Sequence, residues 1–257
     1  MNNASLDLLL RERPLIHSDG AVCYGLHDEA LQFIDQHVDS ASATLETGTG
    51  LSTVLFALKG CRHVCVSPVE KEFEQIRSYC EAHGLSLKTV QLMAGRSEDV
   101  LPILKPETLD FLLIDGGHGF PIPYVDWLYA GRRLKPGGWL MLDDTQLWTV
   151  DLLRRFLLED PDWAFIKELG FRTAVFQKVT DRNHTEEWCN QPFVVRRQTW
   201  LDWRHDIKKT MGRMKSGRWD ELGKDAHSRL NKYWSLALRT VRRLKDGWRN
   251  PSQGMKG

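Results

Sequence analysis

The stretch Leu45-Glu46-Thr47-Gly48-Thr49-Gly50-Leu51-Ser52-Thr53 decides the fold. A short strand at 43–46 runs into two glycines, and a helix follows over 51–59. Gly48 and Gly50 let the backbone turn sharply and approach a ligand closely. A dinucleotide fingerprint asks for a third glycine three positions on, and for pyrophosphate at the helix start. Here that position is Thr53, and Glu46 would sit close to the phosphate. A carboxylate suits instead a ligand bearing an amino group and a sulfonium cation. A tight turn with no ligand and a dinucleotide site both stay open at this point.

Outward from the turn, strands and helices alternate. Apolar spacing predicts a helix over 28–38 capped by Asp28, and a strand at 63–66. A helix over 70–83 stops at Gly84, and a strand follows at 87–92. A short helix over 98–104 precedes a near-continuous apolar strand at 109–114. A helix over 124–134 leads to a turn at Lys135-Pro136-Gly137-Gly138, and a strand at 139–142. A helix over 150–158 and strands at 163–168 and 173–178, joined as a hairpin, close the pattern. Apolar strands of this kind belong to a parallel sheet covered on both faces. The expectation is an α/β fold: a doubly wound, mostly parallel, seven-stranded sheet with one antiparallel strand near an edge.

The chain divides into a lead-in at 1–26, an α/β domain at 27–180 and a basic, Trp-rich helical extension at 181–257. The net charge of +1 conceals an asymmetry. From Arg196 onward there are 17 Lys/Arg against 6 Asp/Glu, a net of +11, which leaves −10 for the remainder. Residues 230–244 place apolar side chains at helical spacing among Lys and Arg. The extension reads as amphipathic helices packing on the domain or pairing two subunits. A membrane surface or a nucleic acid is the alternative partner. No apolar run approaches the roughly 18–20 residues of a membrane span. Leu8-Leu9-Leu10 is cut short by Arg11-Glu12-Arg13-Pro14, unlike a signal peptide. Cys23, Cys61, Cys65, Cys80 and Cys189 are an odd, scattered set without zinc-site spacing. They read as reduced thiols of a cytoplasmic protein.

Four motifs in order now carry a resemblance: Glu46-Thr-Gly-Thr-Gly50, Leu109-Asp-Phe-Leu-Leu-Ile-Asp115-Gly-Gly-His118, Leu134-Lys-Pro-Gly-Gly138 and Met141-Leu-Asp143-Asp144. Over about residues 25–180 the chain resembles the class I S-adenosylmethionine (SAM)-dependent methyltransferases. It is most similar to the branch with catechol-type and sugar O-methyltransferases. The resemblance implies a Rossmann-like fold, SAM as cofactor and a small-molecule hydroxyl acceptor. It implies cofactor contacts from Glu46, Gly48, Thr49, Gly50, Ser52, Thr53 and Asp115. The family places an acid after the second strand to hold the ribose. Here Ser67 stands in that place, so Ser67 or Glu70 takes the role. Ser97 touches the adenine edge in similar enzymes, and also reads as a helix N-cap.

Asp115, Asp143 and Asp144 end adjacent strands and should converge. Clustered carboxylates repel and raise one another's pKa. A hard cation such as Mg²⁺ would relieve them, as at the equivalent positions of similar enzymes. The alternative is that Asp144 caps a turn and the others reach SAM through water. His118, in a Gly-Gly-His-Gly loop, sits where similar O-methyltransferases keep the base that takes the acceptor proton, with Asp115 beside it. Two readings remain beside an O-methyltransferase: a non-catalytic protein of the same fold that binds SAM or a partner, and a nucleic-acid methyltransferase suggested by the basic tail.

Overall fold

A computed structural model describes residues 5–17, 25–105, 107–180 and 187–217. Contacts divide the chain into two compact units, Met1–Leu158 with Asp162–His184 and Glu159–Pro161 with Thr185–Gly257. In the first unit, helices α1 (Leu6–Glu12) and α2 (Asp28–His37) precede strand β1 (Ala43–Thr47), and then α3 (Leu51–Lys59) and β2 (Arg62–Ser67) follow. Next come α4 (Glu70–Ala82), β3 (Val90–Ala94), α5 (Ser97–Val100), β4 (Leu109–Ile114) and α6 (Ile122–Ala130). Strand β5 (Leu134–Leu142), helix α7 (Trp148–Glu159) and the hairpin β6 (Trp163–Leu169) and β7 (Thr173–Lys178) complete the order. The second unit is described through helix α8 (Pro192–Lys215).

The seven strands form one sheet in the order β3-β2-β1-β4-β5-β7-β6. β1 to β5 run parallel, and β7 pairs antiparallel with both β5 and β6. This is the expected doubly wound sheet. The order reverses between β1 and β4, so the crevice beyond their carboxyl ends is where such a fold binds its ligand.

Several local expectations needed correction. Asp28 does not cap α2: His27 is the N-cap, and Asp28 lies in the first turn, paired with Arg13. Ser97 is likewise inside α5, whose N-cap is Arg96. The third strand begins three residues late, because a turn takes the earlier residues, with Val90 N–H donating to Leu87 O at 3.0 Å. The predicted Lys135–Gly138 turn is instead a bulged stretch of β5, where the register slips between Leu109↔Leu134 and Phe111↔Trp139. The helix expected over 124–134 starts earlier, with Pro123 in its first turn, and tightens into a 3-10 turn at Gly131–Arg133. The lead-in is not peripheral: Leu9 and Ile16 are buried in the core cluster.

The core lies between the sheet and α2, α3 and α4. Its contributors follow helical spacing: Ala30, Leu31, Phe33 and Ile34 on α2, and Ile76 and Cys80 on α4. Phe111 of β4 sits at its centre, with ring centroids 6.4 Å from Phe33 and 6.0 Å from Phe56. Cys61, Cys65, Cys80 and Cys189 are free thiols. Among the described residues, no helix is long and apolar enough to cross a membrane. The amphipathic stretch at 230–244 lies outside the described residues. Phe111→Ala should lower unfolding free energy by about 3–5 kcal/mol in denaturant titrations, since a void would open where two aromatic rings now meet.

Candidate active site at the carboxyl ends of β1 and β4

Gly48 fixes the geometry of the crevice. It adopts φ +88°, and a Cβ there would lie 2.0 Å from the carbonyl oxygen of Asp115. Only glycine lets the turn after β1 come this close to the end of β4. The turn is tied down by Gly48 N–H donating to Val66 O at 2.9 Å, and by Asp115 N–H donating to Thr47 O at 3.0 Å. Asp143 N–H donates to Ile114 O at 3.1 Å, so the ends of β1, β4 and β5 stand side by side.

Above this floor lies a cleft of about 470 Å³, a volume typical of small-molecule sites. Its walls include Thr47, Gly48 and Thr49 from the turn, Ser67 after β2, Glu72 on α4, Arg96 to Glu98 after β3, and Asp115 to His118 after β4. His17, Ile122 and Asp144 complete the rim. Four carboxylates, Glu72, Glu98, Asp115 and Asp144, face one arginine, Arg96, which is itself paired with Glu98 at 2.5 Å. An acidic lining of this kind disfavours a pyrophosphate and suits a cationic ligand.

The structure brings together Gly48, Thr49, Ser67, Ser97, Asp115, His118 and Asp144 of the residues singled out from sequence. Gly50, Ser52 and Thr53 are buried and are not among the residues that line the cleft. Glu46 is turned beneath the glycine turn, buried, where Thr53 Oγ1 donates to its Oε1 and His63 Nε2 lies 3.1 Å away. Its charge helps burial push the Cys65 thiol well above its ordinary value. Glu46, His63 and Cys65 form a tight buried group whose ligand atoms lie within 4.8 Å of one another. Glu70 stands exposed on the outer side of α4. The carboxylate that reaches the cleft is Glu72, 3.0 Å from His17 Nδ1. Helical spacing could have found it, since Glu72 shares a face with Ile76 and Cys80.

The three aspartates diverge in their partners. Asp143 is turned inward: Thr173 Oγ1 donates to one oxygen and Arg172 Nη2 to the other, at 3.0 Å. It therefore does not join the expected carboxylate trio. The group that does assemble is Asp115, His118 and Asp144, with ligand atoms within 4.8 Å of one another. His118 Nε2 lies 2.9 Å from Asp144 Oδ2, and Gln146 donates to Asp144 Oδ1 at 2.7 Å. The loop is braced by Thr149 Oγ1, which donates to His118 O at 2.5 Å. Arg172, at the tip of the β6–β7 hairpin, also lies 3.6 Å from Asp144 Oδ1. No local pattern marks Arg172 in the sequence. Its reach is set by the hairpin, whose Arg172 carbonyl accepts from both Thr145 N–H and Thr145 Oγ1.

These surroundings set the charges. Burial, then the charges of Asp143, Asp144 and Glu46, push the Asp115 carboxyl well above the usual range, against the pull of Arg172. Burial also raises Asp143, opposed by Thr173 and Arg172. Asp144 is held below the usual range, chiefly by its hydrogen bond from His118. Asp126 of α6 lies beneath the loop, fully buried, and was not anticipated. Burial pushes its carboxyl up to about 6, while the nearby hydroxyls of Ser97 and Thr47 pull it down.

Residues 45–145 match the family model of a methyltransferase domain. The sheet order and this match together give the chain the class I methyltransferase fold. A Mycobacteroides abscessus protein provisionally named an O-methyltransferase is 33% identical over 115 residues, 42% of this chain and 52% of that one. A Mycobacterium sp. (strain JLS) protein of the same provisional name is 32% identical over 135 residues, 50% of this chain and 59% of its own. The chain thus spans about half the length of the curated relatives it matches. The methyltransferase fold recurs in the O-methyltransferase TomG of Streptomyces achromogenes, solved with SAM. That match has a TM-score of 0.55 and 20% identity over 66% of this chain and 89% of that one. It recurs in a Bacillus cereus O-methyltransferase solved with SAH, with a TM-score of 0.53 and 19% identity over 68% and 90% of the two chains.

The domain's stability should report on Asp126. Its folded pKa of about 6 exceeds the ordinary 3.8, so the folded state holds the proton more tightly. Stability from this group is full below about pH 4 and is lost as pH rises toward 6. Asp126→Asn should therefore flatten that decline and raise stability at pH 8 by on the order of 1–3 kcal/mol, with no gain at pH 4, measured by denaturant unfolding.

Proposed function

We propose that this chain transfers a methyl group from SAM to a hydroxyl oxygen of a small molecule. The observation that carries the reading is the His118–Asp144 pair, 2.9 Å apart, at the rim of an acidic cleft floored by a glycine turn. The names of its relatives support the same chemistry.

The cleft fits the cofactor by its chemistry. Gly48 leaves room where a Cβ would collide. Carboxylates line the space in which an amino group and a sulfonium would lie. Gly48, Thr49 and Asp115 would hold the methionine part, Ser67 and Glu72 the ribose, and Ser97 the adenine edge. Glu46 and Thr53 would act from below by bracing the turn. When bound, SAM supplies a methyl group on a positively charged sulfur.

The chain's own residues do the rest. Asp144 stays ionised and orients His118 through Nε2, which leaves Nδ1 to take the acceptor hydroxyl proton as oxygen attacks the methyl carbon. The Gly116–Gly117 loop and the Thr149 brace hold the imidazole in place. Most of the acceleration comes from alignment of the acceptor and from a site that tolerates the developing oxyanion. Asp115 and Asp144 would hold a divalent cation such as Mg²⁺, whose contribution when bound is to lower the acceptor hydroxyl's pKa. The free thiols of Cys61, Cys65, Cys80 and Cys189 suit a reducing compartment such as the cytoplasm.

On a panel of hydroxyl acceptors, His118→Ala should lower kcat by about 10²–10⁴-fold with the SAM dissociation constant unchanged. Asp144→Asn should lower kcat less. Unchanged turnover in His118→Ala would remove the base from the scheme, and loss of SAM binding in the unaltered chain would remove the reading itself. EDTA should depress turnover and Mg²⁺ restore it. In Asp115→Asn the restoration should disappear, measured by initial rates.

A further inference from the structure

Helix α8 carries a feature that methyl transfer does not use. Trp200, Trp203, Ile207, Met211 and Met214 are 53%, 56%, 38%, 53% and 45% exposed. At 3.6 residues per turn they fall within one arc of about 80°. Arg204, Lys208 and Lys215 are exposed along one border of that arc, and Arg204 lies over the Trp200 ring at 4.6 Å. Val195, the buried residue of the helix, points elsewhere. Over its 24 residues α8 holds seven Lys/Arg and two Asp/Glu, a net of +5.

We propose that α8 lies on an anionic phospholipid surface, with the Trp–Ile–Met stripe entering the headgroup region and the flanking basic residues meeting lipid phosphates. Two tryptophans suit that depth, since the indole ring is apolar with a polar N–H handle. Long basic side chains keep their charged heads in water while their stems cover apolar surface. Charge selects this occupant over the others. A second copy of α8 brings another net +5 to the same stripe. Residues 218–257 carry ten Lys/Arg and four Asp/Glu, a net of +6, and so have the same sign. A nucleic acid satisfies the basic border, but offers no apolar counterpart to Ile207, Met211 and Met214. An anionic lipid surface matches both the stripe and its border, and α8 lies on such a surface without spanning it.

The test is co-sedimentation of the full chain with phosphatidylcholine vesicles, with and without 30% phosphatidylserine by preparation, alongside tryptophan emission. The expected result is binding to the anionic vesicles, with a blue-shifted emission and binding that weakens as salt is added. Trp200→Glu with Trp203→Glu should reduce partitioning at least tenfold, and Arg204→Glu with Lys208→Glu should do so while sparing the stripe. Circular dichroism and SAM affinity of each variant keep a folding failure separate from lost docking. The proposal is overturned by absence of binding to anionic vesicles, by equal binding to neutral ones, or by folded tryptophan variants that bind unchanged. It is equally overturned if those variants instead convert a dimer to a monomer in light scattering, or abolish retention on RNA.

Discussion

The turn after β1 must pass within van der Waals reach of the backbone that ends β4, and only a residue without a side chain allows it. Gly48 meets that demand against the carbonyl of Asp115. From this approach the rest of the site follows. The carboxyl ends of β1, β4 and β5 become neighbours, the loops that follow them share one cleft, and Asp115, His118 and Asp144 gather at its rim. A sheet that reversed its order elsewhere would place the same residues on separate edges.

Bringing that many carboxylates together is electrostatically unfavourable, and the structure answers with dispersed compensation. Arg172 faces Asp143 and Asp144, Thr173 donates to Asp143, and His118 pairs with Asp144. Asp115, lacking such a partner among these contacts, carries the most strongly raised carboxyl of the cluster. The two consecutive aspartates therefore differ in role. Both lie just past the end of β5, where the backbone at Asp144 is left-handed (φ +57°): Asp143 turns into the protein and meets the hairpin, while Asp144 faces the cleft and pairs with the imidazole.

Glu46 shows the same division at the other end of the site. Its position two residues before the first glycine suggests direct contact with a ligand, yet one of its oxygens, Oε1, meets both Thr53 and His63 under the turn. Its work is to brace the loop from below. The cleft's own carboxylate on that side comes from Glu72, delivered by the helix after β2.

The doubly wound sheet, the glycine turn and the cluster at the ends of β4 and β5 were legible because they rest on local rules. Near-continuous apolar strands need cover on both faces, and helix spacing puts Phe73, Ile76 and Cys80 together on one side. Short-range energetics also mark Gly48 as the residue for a tight turn. What the sequence by itself determined is thus the order of elements and the set of residues at strand ends. Only the tertiary structure decided which of them face the cleft. The swap of Glu72 for Glu70, the inward turn of Asp143, the arrival of Arg172 from the hairpin and the burial of Asp126 depend on side-chain direction and on contacts between residues far apart in the chain. The physical reason is that desolvation and pairing of charge are properties of a three-dimensional neighbourhood, and no local pattern in the chain encodes them.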